Sequence, residues 1–324
     1  MFPLHKNIYH YTRSDIALKN ILSDMSIRLG PMHLVNDPKE SKKWPFKFYT
    51  RELSSNSNFN YRLFKNVNHY IIKRSLMFCG TMDSSSLQMK NNYMPDHTKR
   101  GYGHSRMWAQ YSENHKGVCF AFDKDKLHQA IIATLGNDKL FFGEVNYVAS
   151  EFGHIVQDGI DPFGITYLED VIEKGIDQIF EPIIKKFNQE FYFKKHIDWQ
   201  DEWEYRWVYR SANDTPIYIP IEGCLNAVIL GNDCPQEIAD SIILFCKEKR
   251  IPVYKIHWYG WAVALFGDLT NDDFNKQTLV SLDGISFNVN IPCAGVIVQG
   301  LDKEGNEQPI LINTNGEAIS LSTQ

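Results

Sequence analysis

The stretch Asp198-Trp199-Gln200-Asp201-Glu202-Trp203-Glu204-Tyr205-Arg206-Trp207-Val208-Tyr209 decides how the rest of the chain is read. From Glu202 onward it alternates. Glu202, Glu204 and Arg206 fall on one side, while Trp203, Tyr205, Trp207 and Tyr209 fall on the other. A period of two with many aromatics predicts a β-strand. Same-face neighbours on a strand lie roughly 6.5–7 Å apart, so two carboxylates and a guanidinium would project in a row over an aromatic base. Two readings of that row stand side by side. One is a solvated face of an antiparallel strand on which Arg206 merely pairs with Glu204. The other is the acidic wall of a site.

A chain of 324 residues can bury a sizeable core in one large domain or two modest ones. With 43% hydrophobic and 23% charged residues the composition is that of an ordinary globular protein. No apolar run approaches the ~18–20 residues that cross a bilayer, and Met1–Lys6 lacks the apolar core of a secretory signal. No membrane association is expected. The six cysteines form no C-x-x-C pair, which suits reduced, buried thiols in a cytoplasmic protein and argues against a zinc site. The net charge of -5 conceals an asymmetry: residues 1–120 carry 18 Lys+Arg against 8 Asp+Glu, and the remaining residues carry 16 against 31. Such a basic amino-terminal portion suits an anionic partner, a dinucleotide or a nucleic acid, or else attraction between two halves of one domain.

Working outward, Asn7–Thr12 reads as a strand, followed by a helix capped by Ser14, with Ile16, Leu18, Ile21 and Leu22 as its stripe. Ile27–Pro31 is a second short strand. His10, flanked by tyrosines where strand meets helix, is a candidate ligand-binding residue, because backbone N–H groups at a helix start hold phosphates or ribose hydroxyls. Asn36-Asp37-Pro38-Lys39-Glu40 is turn chemistry. Residues 61–74 are helical and Ser75–Thr81 is a buried strand. The polar excursion from Asp83 to His104 is expected to be a substrate-covering loop. A helix capped by Ser105 carries Trp108 and Tyr111 on one face, where core packing is the default reading. Val118–Phe122 and Leu140–Tyr147 are strands around a helix near 124–135, and one long helix is expected from Thr166 to Lys195. Strands at 215–219, 227–231, 251–256 and 262–266 surround a helix opened by Asp233 or Cys234, with Pro235 in its first turn. The expected class is α+β: a mixed, largely antiparallel β core with flanking helices over residues 1–267, and a small β-rich appendage over 268–324.

Taken together, Tyr9-His10-Tyr11-Thr12, Asn36-Asp37-Pro38-Lys39-Glu40, Met107-Trp108-Ala109-Gln110-Tyr111, Trp199 through Arg206, and Val228-Ile229-Leu230-Gly231 resemble a bacterial domain-of-unknown-function family across about residues 7–256. Gly80-Thr81 departs from that family's pattern, which tends to have Phe-Ser there, and residues 82–104 are an insertion. More distantly, an early histidine on a strand and a late E-x-E are similar to the ADP-ribosyltransferase superfamily. That resemblance implies NAD as a substrate, an ADP-ribosyltransferase-like core, and a nucleic-acid or protein acceptor. It implies His10 as the NAD-binding histidine, supported by Tyr11 or Thr12, and a catalytic carboxylate from the pair Glu202 and Glu204. Glu204 is preferred as the second Glu of the pattern. Arg28 would meet the pyrophosphate, Tyr111 or Thr81 would stand for the middle motif, and Arg206 would orient the carboxylates.

The reading that follows is a NAD-dependent ADP-ribosyltransferase, a toxin or phage-defence effector with an antitoxin or regulatory protein as partner. The alternative is a non-catalytic nucleotide- or nucleic-acid-binding sensor module. A hydrolase using the paired carboxylates ranks last, because two carboxylates without neighbouring Asp or His ligands make a poor metal site.

Overall fold

The structure, a computed structural model, describes residues 5–37, 48–51, 57–86, 97–149, 166–259 and 262–271, and five strands beyond them. In chain order the strands are β1 (Asn7–Thr12), β2 (Ser26–Pro31), β3 (Phe48–Tyr49), β4 (Ser75–Thr81), β5 (Val118–Asp123), β6 (Leu140–Glu144) and β7 (Asn146–Val148). There follow β8 (Thr166–Tyr167), β9 (Lys194–His196), β10 (Glu204–Arg210), β11 (Ile217–Pro220), β12 (Leu225–Leu230), β13 (Val253–Tyr259) and β14 (Ala262–Phe266). Ten of them form one mixed sheet in which only the β12–β13 contact is parallel. The fold is therefore α+β, with a largely antiparallel sheet and flanking helices.

The organising feature is a division of that sheet along one edge of β4. Strand β10 pairs with β4 over its whole length, from Glu204 opposite Thr81 to Arg210 opposite Ser75. The other edge of β4 is shared. β2 pairs with it at Leu76 and Met77, β1 pairs with it at Thr81, and Phe78, Cys79 and Gly80 lie between the two junctions. From there β2 leads to β11, and β1 leads through β5 and β12 to β13 and β14. Gly80 is needed at the junction, because a Cβ there would come within 2.1 Å of the Ile8 Cγ2 atom.

One face of the sheet carries the main core, where Phe78, Phe120, Phe122 and Trp207 meet the helices Lys124–Leu135 and Gln236–Lys249. The other face is covered in two separate parts. Met77 and Val208 pack with the helices Ser57–Lys73 and Ile176–Lys186. Tyr9, Tyr11, Cys119 and Ile229 pack with Trp108 and Tyr102. A gap between these two parts is left over the middle of β4.

Several elements differ from expectation. The long helix of 166–195 is three helices, Leu168–Lys174, Ile176–Lys186 and Asn188–Tyr192, because Gly175 takes φ 86° and ends the first of them. Its last residues become β9. Neither Ser14 nor Ser105 caps a helix, since Arg13 and His104 occupy those positions. Pro235, rather than Asp233 or Cys234, precedes the helix that starts at Gln236. The excursion after β4 is tied down by the buried pair of Arg100 with Asp83, 3.2 Å apart. Residues 87–96 of the expected covering loop lie outside the described residues.

Part of the charge asymmetry is met internally: Arg51, Lys73 and Arg74 pair with Asp170, Asp214 and Asp177. Asp268 and Leu269 bond to Val253, so contact with the main sheet continues past 267. Beyond residue 271, Thr278–Leu282 pairs with Ile285–Val289, and Val296–Leu301, Glu307–Ile312 and Ala318–Ser320 form a small antiparallel sheet. Among the described residues no helix is long and apolar enough to cross a membrane.

Candidate functional site

The gap over β4 is a cleft of about 340 Å³, a volume within the usual range of small-molecule sites. His10 and Tyr11 of β1, Arg28 of β2, Phe78 to Thr81 of β4, Asn36, Asp37, Tyr111, Lys195, Glu202 and Glu204 all line it. The early histidine and the late carboxylates therefore border one cavity.

His10 reaches it through the division of the sheet. Alternation along β1 sends its side chain to the face of Ile8, where it stacks on Phe78 with ring centroids 4.7 Å apart. Its Nδ1 lies 3.0 Å from the Cys79 carbonyl, on the part of the β4 edge that neither β1 nor β2 pairs with. A carbonyl only accepts, so Nδ1 carries the proton and Nε2 is the acceptor nitrogen. Burial lowers the pKa of this imidazole, and the bond to Cys79 offsets that only in part, so the ring stays neutral at pH 7.

The acidic wall is built differently from the expected strand. Glu202 ends a 3-10 turn, Ile197–Glu202, and Trp203 follows in the left-handed region with φ 44°. The strand begins only at Glu204. Nor is the charged face solvated: Glu202, Glu204 and Arg206 are all buried. Between the two carboxylates sits Lys195, whose Nζ donates to Glu202 at 2.6 Å and to Glu204 at 3.2 Å. The pairing of β7 with β9 sets Tyr147 beside Lys195, and the Tyr147 hydroxyl accepts from the Glu204 N–H at 2.9 Å.

Arg206 does not line the cleft. It grips Glu204 from beneath with two bonds of 2.7 and 2.8 Å, while its third nitrogen donates to the Tyr192 carbonyl at 2.8 Å. Burial pushes the Glu204 carboxyl up, yet the charges of Arg206 and Lys195 and the bonds from Arg206 outweigh it and bring it down to about 2. Glu204 is thus ionised across the physiological range. Glu202 accepts one further bond, from the Tyr111 hydroxyl at 2.7 Å. Burial, and after it the charge of Glu202, raises the pKa of Tyr111 and keeps it a donor.

Of the candidate residues, then, His10, Arg28, Tyr111, Glu202 and Glu204 come together with side chains on the cleft. Tyr11 lines it too, but its hydroxyl is committed to the Gly101 carbonyl at 2.6 Å. Thr12 lies outside the lining, and its carbonyl accepts from Ser112. The helix start after β1 is no phosphate seat, because the Ser14 N–H and hydroxyl both donate to Glu113. Of the middle-motif candidates, Thr81 and Tyr111 both border the cavity. Trp108 follows the core-packing expectation and is fully buried, whereas Tyr111, three residues on, turns to the cleft.

Residues 107–207 match the family model described as Protein of unknown function (DUF2971). The matched span holds Met107, Trp108, Tyr111 and the Glu202–Arg206 run, so the resemblance to a domain-of-unknown-function family is borne out there. No curated protein and no solved structure matches the chain. The DUF2971 family carries no stated activity, and chemistry must be argued from the residues of the cleft.

Sequence reading missed Lys195, Asn36 and Asp37 as cleft residues. Lys195 was hidden at the end of a helical stripe, and the turn residues gave no chemical signal.

Burial lowers the pKa of His10, His33, His104, His115, His128 and His257, all from an ordinary value of 6.5. The unfolded chain then binds more protons than the folded one below that value. The stabilisation is complete above pH 6.5 and drains away as pH falls through it. Calorimetric melting between pH 8 and pH 5.5 should show Tm dropping below about pH 6.5. A Tm that stays flat or rises on acidification would mean that these rings titrate normally in the folded protein.

Proposed function

We propose that the cleft binds a nicotinamide dinucleotide and cleaves its nicotinamide–ribose bond, transferring ADP-ribose to an acceptor. The observation that carries this reading is the juxtaposition of a neutral imidazole and an anchored pair of carboxyl groups, Glu202 and the ionised Glu204, on one cavity. As that bond breaks, positive charge develops at the ribose C1′, as in glycoside cleavage. A fixed carboxylate beside it favours that charged state over the ground state. Nicotinamide departs with the bonding electron pair and becomes neutral. The acceptor's nucleophilic oxygen or nitrogen attacks C1′ and gives up its proton.

The two carboxylates divide the work. Glu204 already accepts three bonds, from Arg206 and Lys195, and supplies fixed negative potential. Glu202 takes one bond on each oxygen and keeps acceptor capacity for a ribose hydroxyl. His10, through Nε2, accepts from a ligand hydroxyl or amide. Tyr111 and Lys195 hold Glu202 in place. This shifts the hydroxyl-binding role toward Glu202, while Glu204 remains the charge that faces the transition state.

Incubation with NAD, alone and with RNA, DNA or cell extract, should release nicotinamide, and the condition that stimulates release identifies the class of acceptor. Thermal stabilisation by NAD with no nicotinamide under any of these conditions would replace the enzyme by the sensor module. Neither stabilisation nor release would end the nucleotide reading.

A further inference from the structure

The cleft does not stop at Arg28. Along β2, Ile27 and Leu29 are buried in the main core, so the alternation turns Arg28 outward. A Cβ built on Gly30 would lie 3.6–3.9 Å from the Arg28 guanidinium atoms, so that group lies over Gly30, toward the division of the sheet. Among the described residues Arg28 meets no carboxylate within ion-pair distance. Directly opposite it on β11 stands Tyr218. Its neighbour Ile219 is fully buried, but Tyr218 is 57% exposed. Directly opposed antiparallel residues have Cβ atoms about 4.5–5.5 Å apart, and Tyr218 stands one strand spacing, about 4.7–4.9 Å, further out than Arg28. A cation that borders the cavity and, directly opposite it on the adjoining strand, an exposed aromatic residue that serves no core thus stand side by side.

We infer that Arg28 and Tyr218 form a second seat for the ligand of the cleft: the guanidinium takes a phosphate and the ring stacks the nucleobase that this phosphate joins to the buried part. This rests on the dinucleotide reading of the cleft and deepens it, because it names the residues that would hold the second base. Exposed tyrosine stacks bases tolerantly, through the π-face that each base has, and arginine matches phosphate bidentately.

Calorimetric titration of the full chain with NAD and with nicotinamide mononucleotide separates the two levels. Tyr218→Ala should weaken NAD roughly tenfold and leave the mononucleotide, which lacks the second base, unchanged; Tyr218→Phe should restore NAD. Arg28→Gln should weaken both, since each carries a phosphate. Equal loss of both ligands in Tyr218→Ala would mean that the ring only supports the fold. Wild type binding the mononucleotide as tightly as NAD would overturn the seat while the cleft reading stands. No binding of either would overturn both. Unchanged NAD binding in Tyr218→Ala, with weakened single-stranded DNA binding, would assign this pair to an acceptor strand instead.

Discussion

Replacing Arg206 by alanine is expected to destabilise the protein by about 3–5 kcal/mol, the usual cost of stripping one partner from a buried ion pair. The guanidinium is 1% exposed and makes three bonds, two to Glu204 and one to the Tyr192 carbonyl. Alanine leaves the Glu204 carboxylate buried, with Lys195 as its remaining cation at 3.2 Å. Removing both charges together, as Arg206→Met with Glu204→Leu, should cost less than Arg206→Ala alone, because neither variant side chain then needs a counter-ion. Denaturant unfolding measures both. A loss below about 1 kcal/mol for Arg206→Ala is the behaviour of an exposed pair and would restore the picture of a solvated charged face.

Glu204→Gln and Glu202→Gln should each lower the rate of nicotinamide release by about 10²–10³, the usual effect of deleting one preorganised electrostatic group. The two should differ in kind. Glu204→Gln removes the fixed charge and should act on kcat. Glu202→Gln also loses a ribose contact and should raise KM as well. Glu204→Gln strips buried Arg206 of its counter-ion and should lower Tm. Rates are therefore compared well below each variant's Tm, where a circular dichroism spectrum like that of wild type shows that the fold survives. A rate within about threefold of wild type for both variants would remove the carboxylates from the chemistry.

How much of this was legible in the residues varies by scale. The strands of the split sheet were readable because each is a short apolar or alternating run. Their partners were not, because alternation fixes the face a side chain takes and not the neighbouring strand. The site was readable only in part. The run Glu202-Trp203-Glu204 has a perfect period of two, yet Trp203 turns left-handed and Glu202 arrives from a 3-10 turn, so the spacing hid a bend. Both glutamates reach the cleft because Lys195 draws them together, a tertiary contact that no local pattern encodes. His10 illustrates the reverse. Alternation places it on the core face, and only the parting of β1 from β2 brings it to the cavity. The helix expected to run on to Lys195 instead breaks after Phe187 into a short helix, Asn188–Tyr192, and gives way to β9 at Lys194.

Hydrogen exchange read by mass spectrometry, with and without saturating NAD, tests most directly whether the two distant segments share one ligand. Amides of residues 7–12 and of residues 197–206 should both gain protection when NAD is added. Protection confined to one of these segments, or absent from both, would contradict a nucleotide site enclosed between His10 and the Glu202–Glu204 pair.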